Sequence, residues 1–258
     1  MLCISPLTIP RPNGSGNKDV ITVPCGKCIS CLQKKRNEWY VRLKIEYKNY
    51  SSAYFVTLTY MDPELKYNAE GMPVIDKRDC QLFMKKLRKT QKEEIKYFLV
   101  GEYGTITNRP HYHAIIFNLQ GNQDTVHINL LKSWIHGLVH IGHVTDASIK
   151  YCTKYIIHET ALKSFRLMSK GLGKSYVTKN KRWHKADFRR NYFPLQDGKK
   201  TALPRYLKDK IYGKFDKEKY RKYIESLPKE EEPKDFTLRN QRIEAYKKLV
   251  QTRKSKKI

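Results

Sequence analysis

Residues 109–117 read RPHYHAIIF. Two histidines, His111 and His113, stand one residue apart and lead into an apolar run that reads as a strand. Alternate residues of a strand share a face, so both imidazoles point one way and Tyr112 the other. Two imidazoles can hold one metal ion if a neighbouring strand supplies a third ligand. IKYFLVGEY (95–103) reads as that strand, and GTITNRP as the turn that brings RPHYHAIIF back antiparallel to it. Glu102, nine residues before His111, then falls beside the histidines. Two imidazoles and a carboxylate suit Mn²⁺ or Mg²⁺, with positions open for a phosphate. A His-x-His pair alone is a weak signal, because chance pairs on surface strands are common; Glu102 at the hairpin partner position strengthens it.

Outward from this hairpin the chain alternates strands with helices. SAYFVTLTY (52–60) is rich in β-branched and aromatic residues and reads as a strand. Residues 77–92 read as a helix with Cys80, Phe83, Met84 and Leu87 inward. NLLKSWIHG gives a short helix ended by Gly137, and LVHIGHVT (138–145) another strand. Asp146 is placed to cap a helix over ASIKYCTKYIIHETALK (147–163). Upstream, residues 31–50 read as an amphipathic helix with Leu32, Trp39, Leu43 and Tyr47 near one face. Antiparallel strands with helices between them predict an α+β fold, a central antiparallel sheet flanked by helices. The expected organisation is a cysteine-rich head with the first helix at 1–50, a core at 51–170 and a basic extension at 171–258, partly helical or flexible. No internal repeat is visible.

The 258 residues carry 52 Lys and Arg against 25 Asp and Glu, a formal charge of +27. Self-repulsion of that size is relieved by a polyanion. Mixed with 18 Tyr, 9 Phe and 3 Trp, it favours single-stranded nucleic acid, whose bases stack on aromatic platforms. An anionic membrane surface fits less well, because no segment sets a large apolar face opposite its lysines. The start, MLCISPLTIPRPNGSG, lacks the basic start and apolar run of a signal peptide, and no run approaches the roughly 18 apolar residues of a membrane span. The expectation is a cytoplasmic protein with no membrane partner, whose six cysteines are thiols or metal ligands. Residues 199–258 hold 20 Lys and Arg against 9 Asp and Glu, and FTLRNQRIEAYKKLVQTRKSKKI reads as a helix on DNA or a partly disordered tail.

YCTKY (151–155) is a second constellation. On a helix Tyr151, Lys154 and Tyr155 are neighbours, with His158 one turn on. An aromatic stripe packed on the core is the plainer reading. A phenol with pKa near 10 is a poor nucleophile at neutral pH. A lysine beside both phenols, with a metal-polarised phosphate, makes its attack feasible. CGKCISC is the third, with Cys25, Cys28 and Cys31 in two successive C-x₂-C steps. Cys3 is the natural fourth ligand, since Cys80 and Cys152 fall in predicted helices as small core residues. Structural Zn²⁺ is favoured; an iron–sulfur cluster or reduced thiols without metal are the alternatives. His140 and His143 fall on opposite faces of their strand and read as ordinary polar or DNA-facing residues.

The ordered set FVTLTY, RPHYHAIIF, YCTKY resembles the three motifs of HUH-type rolling-circle replication initiator endonucleases. Within that group it is most similar to the replication initiators of the Microviridae, especially the gokushovirus phages. PCGKCISC, the helix with Trp39 and Arg42, and FRLMSKGLG (165–173) also resemble segments of that family. The likeness covers about residues 1–175. Tyr112 departs from the large apolar residue usual between the two histidines.

The resemblance implies an HUH endonuclease core with His111, His113 and Glu102 as ligands of a catalytic Mn²⁺ or Mg²⁺. It implies Tyr151 and Tyr155 as paired nucleophiles, Lys154 as a charge-stabilising residue, and Thr57 and Thr59 lining the sheet near DNA. The implied activity is nicking of the viral origin strand through a 5′-phosphotyrosine, with a free 3′-OH for a host polymerase, a host helicase as a further partner, and rejoining of the displaced strand into a circle. Plasmid initiators, relaxases and transposases share this chemistry. A different class, a non-catalytic zinc-containing nucleic-acid-binding protein, predicts tight binding without a covalent adduct.

Overall fold

The computed structural model describes residues 3–12, 19–104, 107–157, 164–195, 198–227 and 244. In chain order the elements are β1 (Leu7–Pro10), β2 (Val20–Val23), α1 (Ile29–Tyr47), β3 (Ala53–Tyr60), α2 (Lys77–Lys89), β4 (Lys96–Tyr103), β5 (Pro110–Phe117) and α3 (Gln123–Ser133). They continue with β6 (Gly137–His143), α4 (Asp146–Lys154), β7 (Phe165–Met168), α5 (Ser175–Ala186), β8 (Tyr192–Pro194), β9 (Lys200–Ala202), α6 (Arg205–Ile211) and α7 (Lys214–Ser226). Two compact units divide the chain, Met1–Cys31 with Gly213–Ile258, and Leu32–Tyr212.

The first unit contains the antiparallel β1–β2 hairpin, with Leu7 opposite Val23. The second is built on a five-stranded antiparallel sheet in the order β6-β3-β5-β4-β7, so the strand of the two histidines is central. The expected α+β architecture is therefore present, with helices on both faces of the sheet.

Period-2 alternation sorts the side chains. Val56, Leu58 and Tyr60 of β3, Leu99 of β4 and Tyr112 and Ala114 of β5 bury against Cys80, Phe83, Met84 and Leu87 of α2 and Val126 and Leu130 of α3. Phe98 and Val100 of β4 and Ile115 and Phe117 of β5 bury on the opposite face against Leu43 of α1 and Ile149 and Cys152 of α4. Cys80 and Cys152 are core residues, as their sequence context predicts. Helix α1 has two buried sides rather than the one expected. Leu43 joins the sheet, while Val41 and Ile45 pack with Phe193, Leu203, Leu207 and Ile211. Tyr47, expected on the apolar face, is exposed.

The structure corrects three element boundaries. Helix α3 starts six residues before the quoted NLLKSWIHG, where the Asn122 side chain accepts from the Thr125 N–H, and it ends before Trp134. Helix α4 is capped by Thr145, not Asp146; Thr145 and Ser148 form a reciprocal capping box. The helix stops at Lys154 rather than running on to 163, and His158 lies outside the described residues, as does most of the C-terminal stretch 236–258. Strand β7 has no counterpart among the elements expected from the sequence. Gly137 opens β6 with φ 156°, and a Cβ there would lie 2.3 Å from the Thr59 carbonyl oxygen, so glycine permits the close approach to β3.

Candidate active site

The register of the central hairpin sets the geometry. Glu102 of β4 lies directly opposite His111 of β5, and Val100 opposite His113. On the other side of β5, Thr57 of β3 faces His113. Gly101 precedes the glutamate on the opposite face. A Cβ there would come within 3.2 Å of the Tyr112 ring and 3.1 Å of Phe165, so a bare glycine lets β4 sit flush and hold Glu102 in register.

Three potential ligands converge. His111 Nε2 lies 2.7 Å and His113 Nε2 2.8 Å from one and the same atom, Glu102 Oε1. The far nitrogen of each ring is fixed from outside. His111 Nδ1 is 3.1 Å from the Arg109 carbonyl oxygen, and His113 Nδ1 is 3.0 Å from Thr57 Oγ1. Phe55 stacks on the His113 ring at 5.4 Å with the planes 3° apart. Donation from His111 Nδ1 to the carbonyl leaves its Nε2 lone pair facing the carboxylate. Two electron-rich groups at that distance need a cation or a proton between them. Glu102 is 5% exposed, and its Oε2 is buried with no hydrogen-bond partner. A buried, half-satisfied carboxylate beside two imidazoles is the donor set of a divalent metal centre, and the three residues fit one.

The electrostatics agree. Burial alone would raise the Glu102 pKa, but bonds from His111, His113 and Tyr151 bring it down to about 2. Burial alone would lower the His111 pKa, and Glu102 together with the Arg109 carbonyl raises it instead. The carboxylate is thus held ionised and the site favours positive charge.

Helix α4 brings a phenol to this cluster. The Tyr151 hydroxyl donates to Glu102 Oε1 at 2.7 Å and lies 3.4 Å from His113 Nε2. Its ring meets His113 edge-on at 4.9 Å. Burial first, and the Glu102 carboxylate second, raise the phenol's pKa. Tyr155 follows at the helix end and meets Tyr151 edge-on at 5.5 Å. Lys154 Nζ lies 4.4 Å from the Tyr151 ring centre and 4.9 Å from that of Tyr155. The three residues of YCTKY singled out from the sequence are therefore together, and Tyr151 reaches the histidine–glutamate cluster. At the helix start, Asp146 accepts from Tyr40 and Lys44 of α1, which ties α4 down on the sheet.

Tyr112 points away from the site. Its hydroxyl accepts from the Asp76 N–H at 2.7 Å and meets the Tyr60 hydroxyl at 2.9 Å, while Tyr60 donates to Asp79. The tyrosine between the histidines thus serves the opposite core. His140 pairs across from Thr57 and His143 from Tyr54, so the two histidines do sit on opposite faces, both exposed. Phe55 is a site residue that sequence reasoning misses; its position two residues before Thr57 on one strand face is the available signal.

In the first unit, Cys3, Cys25, Cys28 and Cys31 form a group whose sulfurs lie within 4.8 Å of one another. Cys3 Sγ is 3.5 Å from Cys25 Sγ and 3.7 Å from Cys28 Sγ. Disulfide sulfurs would be about 2.05 Å apart. Four sulfurs about 2.3 Å from a tetrahedral zinc would be about 3.8 Å apart, so the four thiols fit such an ion. Cys3, the one ligand far from CGKCISC in sequence, does join the cluster. The backbone N–H of Cys28 donates to Cys25 Sγ at 3.2 Å and that of Cys25 to Cys3 Sγ at 3.3 Å, the usual support of thiolates in a metal knuckle.

Comparison with known proteins gives these sites a lineage. A family model for replication-associated proteins of the ORF2 type matches residues 53–160, the stretch from β3 past the paired tyrosines. Replication-associated protein ORF2 of Spiroplasma virus 4 is 33% identical over 239 residues, 81% of this chain and 74% of the relative. Replication-associated protein VP4 of Bdellovibrio phage phiMH2K is 30% identical over 78% of this chain and 70% of its own length. The chain belongs to this family of phage replication-associated proteins. A more distant member, Replication-associated protein ORF4 of Chlamydia phage 1, is 25% identical over 72% of the chain and 53% of its own length. No solved structure matches the chain significantly. Among the described residues no helix is long and apolar enough to cross a membrane.

Proposed function

We propose that this chain initiates phage DNA replication by nicking and rejoining a single strand through a tyrosine. One observation carries the reading: the Tyr151 hydroxyl, His111 Nε2 and His113 Nε2 all converge on Glu102 Oε1. A structural tyrosine would have no need of a half-satisfied buried carboxylate with two imidazoles on it. The family of replication-associated proteins supports the biological setting.

His111, His113 and Glu102 would hold a Mn²⁺ or Mg²⁺ ion, which would draw charge from the scissile phosphate's nonbridging oxygens. The chain's own groups do the rest. The Tyr151 oxygen attacks phosphorus, its proton passing to the Glu102–His113 pair within hydrogen-bond reach. The P–O3′ bond breaks and leaves a free 3′-OH for a host polymerase. The bond energy is kept in the 5′-phosphotyrosine, so closing the circle needs no nucleotide cofactor. Lys154, beside both rings, favours phenolate character. Tyr155, its ring packed on that of Tyr151, is the second nucleophile, which cuts the regenerated junction so that the released 3′-OH attacks the first phosphotyrosine. The four cysteines hold a structural Zn²⁺ in the head. The site of action is the cytoplasm of the infected bacterium, with unpaired origin DNA as substrate and a host helicase opening it.

The test is a denaturing gel after incubation with Mn²⁺ and origin-strand DNA, run with Tyr151→Phe, Tyr155→Phe and the double variant. A covalent protein–DNA band that survives at least one single change and vanishes in the double supports the reading. Tight binding with no band from the unaltered chain refutes it and leaves a non-catalytic DNA-binding protein.

A further inference from the structure

Strand β7 brings another basic group to the face of the candidate active site. It pairs antiparallel with β4, Phe98 opposite Met168, Leu99 opposite Leu167, Val100 opposite Arg166 and Gly101 opposite Phe165. Leu167 and Phe165 pack on the α2–α3 side of the sheet, and Met168 on the α1–α4 side. Alternation therefore sends Arg166 to the α1–α4 side, the face of Val100, Glu102 and His113. One row across the sheet reads His113, Val100, Arg166. With strands about 4.8 Å apart, the Cα of Arg166 is about 10 Å from that of His113. Glu102 stands diagonal to Arg166 on the adjacent strand, about 7 Å away. A flexible arginine stem spans most of that distance.

Arg166 is half-buried, and burial alone lowers its pKa, with no carboxylate offsetting it. No hydrogen bond or ion pair engages its guanidinium among the described residues. Other part-buried arginines are held. Arg109 donates to Asp62 and to the Tyr60 carbonyl, and Arg42 donates to the Leu172 carbonyl and lies over the Trp39 and Tyr206 rings. A half-buried cation without an anion costs folding free energy. A guanidinium fork matches two oxygens of one phosphate.

We propose that Arg166 is a phosphate-binding residue of this site, taking a DNA phosphodiester at or next to the one that Tyr151 attacks. The inference rests on the nicking reading for the identity of its phosphate. The plain alternative is an arginine whose stem packs on the core while its tip rests in water.

The test measures binding of a fluorescein-labelled origin-strand oligonucleotide to the full chain across a salt series, with Arg166→Met and Arg166→Lys. Loss of one phosphate contact should weaken binding by the methionine variant about tenfold. The slope of log affinity against log salt should flatten by about 0.7. Lysine should restore the slope but not the full affinity, because it lacks the fork. Unchanged affinity and slope in the methionine variant would overturn the proposal. Should that variant fail to fold, Arg166→Gln is read by the same criteria. The covalent-band assay separates the two claims. No band from the unaltered chain sinks nicking while the salt slope still decides Arg166; an undiminished band with an unchanged slope sinks Arg166 alone.

Discussion

The hydroxyl of Tyr151 donates to Glu102 Oε1 at 2.7 Å, across 49 residues of sequence. That bond joins a helix at the edge of the described core to the central hairpin. It makes Glu102 the hub of the site, since both histidines meet the same oxygen.

The hub predicts how metal affinity responds to substitution. Glu102→Gln keeps the shape and removes the charge, so the rise in melting temperature on adding Mn²⁺ should disappear. Thr57→Val removes the hydroxyl behind His113 Nδ1 while keeping the volume. Loss of such outer support should weaken Mn²⁺ binding about tenfold. Isothermal titration calorimetry measures both; undiminished Mn²⁺ binding by Glu102→Gln would mean that this cluster is not the metal centre.

The same contrast marks what the sequence discloses. His111, His113 and Glu102 are legible because a period of two and a tight hairpin fix which side chains share a face. The end of α4 is not. Ile156 and Ile157 continue an apolar helical pattern, yet the Ile156 N–H bonds back to the Thr153 carbonyl and the helix closes at Lys154. Asp146 and Thr145 are both good caps by residue type. The choice between them is tertiary, since the Asp146 carboxylate is taken by Lys44 and Tyr40, more than 100 positions away. Strand β7 escapes because four residues, FRLM, give too short an alternation and an arginine breaks its apolar character.

The Lys44–Asp146 pair predicts an acid-sensitive anchor for the tyrosine helix. Lys44, bonded to Asp146, is the largest cause that holds the Asp146 carboxyl below the ordinary carboxylate range, with burial opposing it. The folded chain therefore keeps Asp146 ionised to lower pH than the unfolded chain does. The stabilisation is complete above the unfolded value near 3.9 and is lost as pH falls through the lower folded-state value. Asp146→Asn should lower the urea midpoint by a constant amount from about pH 5 to 8, and the gap should close below about pH 4. A gap that is the same at pH 3 and pH 7 contradicts this role. The effect should be modest, because the Asp146 side chain is 41% exposed.

The cysteine cluster predicts bound zinc. The purified chain should carry about one zinc per molecule by elemental analysis. Cys3→Ser should lose most of it, because the fourth thiolate closes the site. Full zinc content in that variant would remove Cys3 from the ligand set.

Tyr112, the residue between the two histidines, gives a prediction that separates stability from chemistry. Its side chain is fully buried on the face away from Glu102. Its hydroxyl accepts from the Asp76 N–H, the residue that caps α2, and meets the Tyr60 hydroxyl, which itself donates to Asp79. Phenylalanine keeps the ring and its contacts with Tyr60, Trp134 and Phe165. It leaves the Asp76 N–H without that acceptor in a site too tight for easy replacement by water. The cost should be about 1–3 kcal/mol in urea unfolding. The imidazoles on either side keep their register, so Mn²⁺ binding and the yield of covalent adduct should stay as in the unaltered chain. Loss of adduct with unchanged stability would mean that the tyrosine acts on the metal face after all, against the alternation that sends it to the other core.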